Sequence, residues 1–194
     1  MRRGLRAGLA ALALGAALAA CSGPPAQTYD LSALGGPAAG AARGRGQIVV
    51  VEPVASQALD SERIVVRPKP DQIAYLAGAQ WADRLPKLVQ ARLIQTFENT
   101  RLLAHVGRPG DRLAADRTLD SELRNFEIDV EAGQAVVEIS VKLVNERNGR
   151  IADAKIFRAV SPASSANGEA ASRALDAALG EAMRAIVAWA AARV

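Results

Sequence analysis

The sequence has little of the side-chain chemistry that enzymes and metalloproteins use. It contains one cysteine and one histidine, and aromatic residues make up 4% of its 194 positions. No C-x-x-C pair, H-E-x-x-H helix or G-x-x-x-x-G-K-[ST] loop occurs, so the sequence offers no zinc or ATP motif. A single cysteine also excludes an intramolecular disulfide. These absences disfavour a catalytic function, and we expect no enzyme activity, no metal and no cofactor.

The remaining titratable residues do not assemble into a catalytic set. His105 has no candidate nucleophile beside it, which is typical of a surface or hydrogen-bonded histidine. Five acids could form a carboxylate pair or a hard-metal site, but they alternate with apolar residues and so favour the solvated face of a half-buried strand. They are Asp120, Glu122, Glu127, Asp129 and Glu131.

The N-terminal segment has the charged and apolar regions of an export signal. Arg2, Arg3 and Arg6 precede an apolar run from Ala7 to Ala20. This run has 14 residues, fewer than the roughly 20 that a helix needs to cross a bilayer. We therefore expect residues 1–20 to be a signal peptide that is removed on export, and not a transmembrane anchor.

The apolar run ends in Leu18-Ala19-Ala20-Cys21, which resembles a bacterial lipobox. The resemblance implies that the signal peptidase recognises Leu18, Ala19 and Ala20, and that the Cys21 thiol carries the lipid as the only covalent group expected. The alternative is ordinary cleavage after Ala19, which leaves Cys21 as a free thiol. A lone thiol in an oxidising compartment favours lipidation.

The residues after Cys21 predict a tethered domain. Ser22 replaces the aspartate that retains enterobacterial lipoproteins in the inner membrane, which favours the periplasmic face of the outer membrane. Residues 21–46 are rich in Gly, Ala and Pro and predict a flexible linker, in which Thr28 to Leu31 can pair along a sheet edge. We assign the folded domain to residues 47–194. The net charge of +4 includes three arginines before Cys21, so the rest is close to neutral at +1 and does not indicate nucleic-acid binding.

Alternating apolar residues predict most of this domain to be strands. The β-branched run 48–54 predicts a central strand buried on both faces, and a change of apolar parity predicts a bulge between Leu123 and Phe126. Gly133 and the pair Asn148-Gly149 mark two hairpin turns. The predicted strands cover 48–54, 63–67, 72–76, 102–106, 119–130, 136–144 and 150–160.

Two segments with a period of three to four apolar residues predict amphipathic helices. The first spans 83–99, with Asp83 as a candidate N-cap and Pro86 in its first turn, and the second begins near Gly168. The element order is β-β-β-α-β-β-β-β-α. It predicts a single α+β domain with a largely antiparallel sheet and both helices on one face.

Several segments together resemble the ABC-type transport auxiliary lipoprotein family, which includes the paraquat-inducible protein C lipoproteins. Most characteristic is Tyr75 followed six residues later by Trp81 at a helix start. The other matching segments are Cys21 followed by Tyr29-Asp30-Leu31, the strand 48–54, Leu59-Asp60, Ile64-Val65-Val66-Arg67, Ile73-Ala74-Tyr75, Trp81-Ala82-Asp83-Arg84-Leu85 and Leu123 to Glu127.

The resemblance implies a non-catalytic accessory subunit of an envelope system that transports lipids or other hydrophobic molecules. Its partners would be a periplasmic MCE-domain protein and, indirectly, an ABC permease and ATPase; a homo-oligomer is also possible. An assembly or structural lipoprotein of another envelope complex is the alternative, and neighbouring genes for a permease, an ATPase and an MCE protein would separate the two.

The segment from Arg63 to Trp81 is the candidate partner-binding surface. It contains family-like residues Arg67, Tyr75 and Trp81, together with prolines that leave a strand edge poorly covered. The alternative gives structural roles to Arg67, which would pair with an acid inside the fold, and to Tyr75, which would fill the core. Trp81 and Trp189, with Tyr75, could also line a ligand pocket, but their positions at the edges of amphipathic elements favour the core.

Overall fold

The computed structural model describes residues 25–36, 46–165 and 167–194. The predicted signal peptide and the lipobox residues up to Cys21 lie outside this part of the chain. Among the described residues, no helix is both long and apolar enough to cross a membrane.

The structure confirms a single α+β domain with two helices and a mixed, mostly antiparallel sheet. The elements in chain order are β1 (Gln27–Tyr29), β2 (Gln47–Val50), β3 (Val54–Ala55), β4 (Arg63–Lys69), β5 (Gln72–Trp81), α1 (Leu85–Thr100), β6 (His105–Gly107), β7 (Arg117–Asp129), β8 (Gln134–Asn145), β9 (Ile151–Pro162) and α2 (Gly168–Ala191).

The long strand β7 organises the sheet. On one side it pairs along its whole length with β8, and β8 pairs in turn with β9; both pairings are antiparallel. On its other side β2, β3 and β4 lie end to end, each parallel to β7. Beyond them, β6 flanks β2, β5 flanks β4, and β1 pairs with β5. The antiparallel character comes mainly from the two long pairings of β8.

Both helices cover the same face of the sheet and enclose the core. The 24-residue helix α2 packs on β8 and β9, and α1 contacts α2 and the β2–β6 end of the sheet. Small buried residues such as Ala171 and Ala178 allow α2 to lie close to the strands. Trp189 of α2 is buried against Phe157 of β9, with ring centroids 5.5 Å apart, which confirms its predicted core position.

The first predicted strand is divided, and its second half was wrongly expected to be buried. β2 ends at Val50 and β3 starts at Val54, after Pro53, which has no N–H to donate to a ladder. The Val54 side chain is 70% exposed. β2 itself is internal, because it pairs with both β6 and β7.

Two local predictions have different outcomes. The bulge in β7 is confirmed, since the register with β8 shifts between Leu123 and Asn125. The N-cap prediction for Asp83 is wrong: α1 begins at Leu85, the cap position is Arg84, and no side chain caps it. Asp83 instead accepts a hydrogen bond from the Arg84 backbone N–H at 2.8 Å.

Residues 27–34, which the sequence analysis placed in the linker, pack on the domain. β1 pairs with β5 as the edge strand expected there. Leu31 is 3% exposed, and the Leu34 backbone N–H donates to Thr96 Oγ1 on α1 at 3.1 Å. The folded unit thus begins upstream of residue 47, because buried side chains and hydrogen bonds hold this segment in place.

Candidate functional site

Arg67, the first predicted partner-binding residue, is held by an ion pair inside the fold. Its Nε donates to Glu127 Oε1 at 2.6 Å and its Nη2 donates to Oε2 at 2.9 Å, a bidentate arrangement. Its third nitrogen, Nη1, donates to the Pro70 carbonyl oxygen at 2.9 Å. The hydrogen bond to Glu127 raises the pKa of Arg67. The guanidinium is thus largely committed to structural contacts.

The pair lies on the sheet face opposite the helices. Val65, on β4, is in register with Glu127, on β7, and Arg67 is in register with Asp129. Only 9% of the Glu127 side chain is exposed, against 25% for Arg67. The expectation that the acids of this strand form a solvated face is therefore wrong for Glu127, because the Arg67 side chain covers it.

Tyr75 and Trp81 occupy different environments. Tyr75 is half-buried, and the Arg63 guanidinium carbon lies 3.5 Å from the centre of its ring, a cation–π contact. Trp81 is 1% exposed and meets Phe126 edge-on, with centroids 5.8 Å apart. Trp81 is removed from the candidate contact surface, because a side chain this deeply buried cannot touch a partner of the folded domain.

The solvent-facing part of this region lies around the β4–β5 turn. A cavity of about 340 Å³ is lined by Arg67, Pro70, Asp129, Glu131 and Ala132. The Ile73 side chain on β5 is 51% exposed. We call Arg67, Pro70, Ile73 and Asp129 the Arg67 corner. It combines an exposed apolar side chain with charged groups and a proline turn, and it is suited to contact with a protein.

Other ionisable residues considered in the sequence, namely Glu122, Asp129 and His105, form surface ion pairs or turn hydrogen bonds or face solvent. Glu122 pairs with Arg124 at 3.3 Å, and Asp129 Oδ1 accepts a hydrogen bond from the Ala132 backbone N–H at 2.9 Å. His105 is exposed at the start of β6. In the described ranges, no group of three or more His, Cys, Asp or Glu residues could hold a metal ion.

Two further cavities are open grooves on the sheet. One, of about 470 Å³, lies under the 109–115 loop, and another, of about 460 Å³, lies beside β3. Both are lined in part by Val51. Neither includes Arg67, Tyr75, Trp81 or His105.

The ion-paired Arg67, the half-buried Tyr75 and the exposed β4–β5 turn give this α+β domain a candidate contact surface. A family model described as "ABC-type transport auxiliary lipoprotein component" matches residues 29–187. The chain belongs to this family. Membership supports an accessory role in a transport system and association with the cell envelope.

The chain is similar to proteins from several bacteria. An uncharacterized protein of Bradyrhizobium diazoefficiens is 31% identical over 170 residues, which cover 86% of this chain but 46% of that protein. This chain therefore spans about half the length of that curated relative.

Two solved structures share the fold. The crystal structure of protein XCC0632 from Xanthomonas campestris, a DUF330 protein, is 27% identical and has a TM-score of 0.80, covering 87% of this chain and 96% of that one. The hypothetical protein CT253 from Chlamydia trachomatis has a TM-score of 0.52 at 9% identity, covering 77% of this chain and 98% of that one. The second likeness concerns the fold alone.

Sequence reasoning did not identify two contacts of the site. It left the acid that pairs with Arg67 unnamed, and it did not connect Arg63 with Tyr75. Val65 and Glu127 are partners in a parallel strand pair whose segments lie about 60 positions apart in the sequence. No local sequence pattern specifies such a pairing. The only available signal was that Glu127 lies inside a family-like segment.

Proposed function

We propose that this protein is an outer-membrane lipoprotein that serves as a non-catalytic accessory subunit of an MCE/ABC-type envelope transport system. The family match over residues 29–187 is the observation that carries the proposal. The lipobox lies directly upstream of the matched region, which supports a lipid anchor on Cys21. The cargo would be a lipid or another hydrophobic molecule, moved by the other subunits.

The domain would act as a docking unit at the periplasmic face of the outer membrane. Lipidation of Cys21 holds the chain at the membrane, because buried acyl chains contribute about 0.8 kcal/mol for each methylene group. An MCE-domain periplasmic protein would be the direct partner, and the permease and ATPase would be reached through it. The domain itself would perform no chemistry.

The Arg67 corner is the proposed docking surface. Ile73 supplies exposed apolar area. Arginine and tyrosine are residue types enriched where partners bind most strongly, and Arg67 lies in this corner while Tyr75 lies next to it on β5. Glu127 fixes the direction of the Arg67 side chain, so less rotamer entropy is lost when a partner contacts it. Trp81 lies in the core at the other end of β5 and makes no contact with a partner.

Co-purification of the MCE-domain protein from a bacterium that produces both proteins tests this proposal. Ile73→Lys should reduce recovery of the partner about five- to tenfold, since it removes one exposed apolar contact. Val54→Lys is the matched control, because Val54 is also exposed and lies elsewhere, on β3. Arg67 is left unchanged here because its replacement would also destabilise the fold.

Equal recovery with Ile73→Lys and Val54→Lys would remove the Arg67 corner as the docking surface. Failure to recover an MCE-domain protein with the parent chain would contradict the proposed partner. Permease and ATPase recovered without an MCE protein would support the accessory role and contradict the predicted order of contacts.

A further inference from the structure

Strand β9 forms a long free edge of the sheet. Among the described residues this 12-residue strand pairs with β8 alone, with a register shift between Ile151 and Asp153. On the other side of the sheet, β1 and β6 are three residues long. Residues 151–161 contain no proline or glycine that would prevent a further strand from pairing. The backbone N–H and C=O groups along such an edge form a template for an additional strand.

The two faces of this edge differ. On the face opposite the helices, Ile156 and Val160 are each 50% exposed, and Arg158 lies between them. On the helix face, Lys155 is exposed next to Phe157, which α2 covers through Trp189. Of the six large apolar residues that are exposed in the described part of the chain, three lie on β9, namely Ile151, Ile156 and Val160. Apolar area is therefore concentrated at this edge.

The charges along β9 are mostly positive. β9 contains two basic residues, Lys155 and Arg158, and Arg150 directly precedes it. Its one acid, Asp153, has a carboxylate that is already bound by Arg193. Arg158 forms an ion pair with Glu138 of β8 at 3.6 Å. Lys155 lies over the Phe157 ring and has no ion-pair partner among the described residues, so an acid opposite Lys155 would supply one, and an acid opposite Arg158 would add to the existing pair. Cross-strand pairs of opposite charge stabilise strand pairing.

We propose that β9 is a strand-addition site for an extended acidic and apolar segment of another protein. Residues directly opposite each other on paired strands share a face. The segment should therefore place an acid, two apolar residues, an acid, a small residue and an apolar residue opposite positions 155–160. This inference does not depend on the transport role, and it uses a different surface from the Arg67 corner.

Two other occupants fit the edge less well. A lipid bilayer could cover the exposed apolar side chains, but its hydrocarbon offers no hydrogen bonds to the backbone edge groups. A second copy of β9 could supply those hydrogen bonds, but it would bring two basic segments together. Like charges on neighbouring strands disfavour that pairing.

Labelled peptides offered to the full chain in detergent test the proposal. Glu-Val-Val-Glu-Ala-Val has the required order for a parallel strand, and Val-Ala-Glu-Val-Val-Glu has it for an antiparallel strand. One of the two should bind with a Kd below about 1 mM by fluorescence anisotropy. Hydrogen exchange should slow at β9 amides and stay unchanged at β6.

Charge reversal provides the specific control. Lys155→Glu should weaken binding about tenfold, or about 1.4 kcal/mol, and Lys69→Glu on β4 should leave it unchanged. Replacing both peptide glutamates with lysine should weaken binding to the parent chain as strongly. The lysine peptide tests the role of charge even if the Lys155→Glu variant fails to fold.

Three results would overturn the proposal. They are the absence of binding by either peptide up to about 1 mM, equal binding of the glutamate and lysine peptides, and binding without slower exchange at β9. Concentration-dependent self-association that protects β9 without peptide would assign the edge to a second copy instead.

Discussion

Replacing Arg67 with methionine should destabilise the domain, because the Glu127 carboxylate would lose its only ion-pair partner among the described residues. Methionine retains an unbranched apolar stem of similar length and removes the three donors that now reach Glu127 and Pro70. The carboxylate would stay on β7, with 9% of its side chain exposed. Leaving a charge desolvated without a partner is the main cost.

The expected loss is intermediate between those of buried and surface ion pairs. Breaking a fully buried pair costs about 3–5 kcal/mol, and exposed pairs contribute at most about 1 kcal/mol. Because Arg67 is 25% exposed, water can reach the site, and we expect a loss of about 2–3 kcal/mol. With a urea m-value of about 1–3 kcal/mol/M, the unfolding midpoint should fall by roughly 0.7–3 M.

This loss is measured by urea unfolding of the protein produced without residues 1–21, with circular dichroism as the signal. Arg184→Met is the matched control, since Arg184 pairs with Glu181 on the exposed side of α2. It should cost less than about 0.5 kcal/mol. In Arg67→Met with Glu127→Met, the loss should be smaller than the sum of the two single losses, because neither charge is left alone. Equal midpoints for Arg67→Met and Arg184→Met would refute the reasoning.

Further outcomes concern the anchor and the core. Cys21→Ser should abolish incorporation of radiolabelled palmitate, because a hydroxyl cannot replace the thiol; labelling equal to that of the parent would contradict the anchor. Ser22→Asp should shift the protein towards the inner membrane in an enterobacterial host, as membrane fractionation would show. EDTA should leave the melting temperature unchanged, and a fall of several degrees would indicate a bound metal. Trp81→Ala should cost about 3–5 kcal/mol in urea unfolding, and a loss below about 1 kcal/mol would contradict the burial of Trp81.

The elements of the fold were predictable where the sequence pattern is local. The hairpin between β8 and β9 follows from Asn148-Gly149, and Gly149 adopts a positive φ of 65° there. The β7 bulge was predictable because alternation is strictly two-fold, so an extra residue reverses the parity of every apolar residue after it. Helix α2 was predictable from its regular apolar stripe.

Long-range arrangement was not predictable. Nothing in the runs 48–54 and 63–67 indicates that β2, β3 and β4 share one edge of β7, because strand order depends on contacts between distant segments. The role of Glu127 was missed for the same reason: alternation assigned it to one face of the strand but could not show that Arg67 covers that face. The Leu31 carbonyl oxygen accepts a hydrogen bond from Arg92 of α1, and no pattern around residue 31 reveals this contact.

The contact between β4 and β7 is short, and the Arg67–Glu127 ion pair reinforces it. The two strands share three register pairs, from Val65 to Arg67 on β4, whereas β7 and β8 pair over their full length. In addition to these pairs and the buried side chains of β4, the bidentate ion pair to Glu127 adds a further attachment of the β4–β5 hairpin to β7. Glu127 lies between the buried residues Phe126 and Ile128 of β7, so this attachment fixes the position of the hairpin relative to the sheet. The pair therefore has a structural role whether or not a partner binds, and binding at the Arg67 corner must be tested at Ile73, whose exposed side chain does not belong to that attachment.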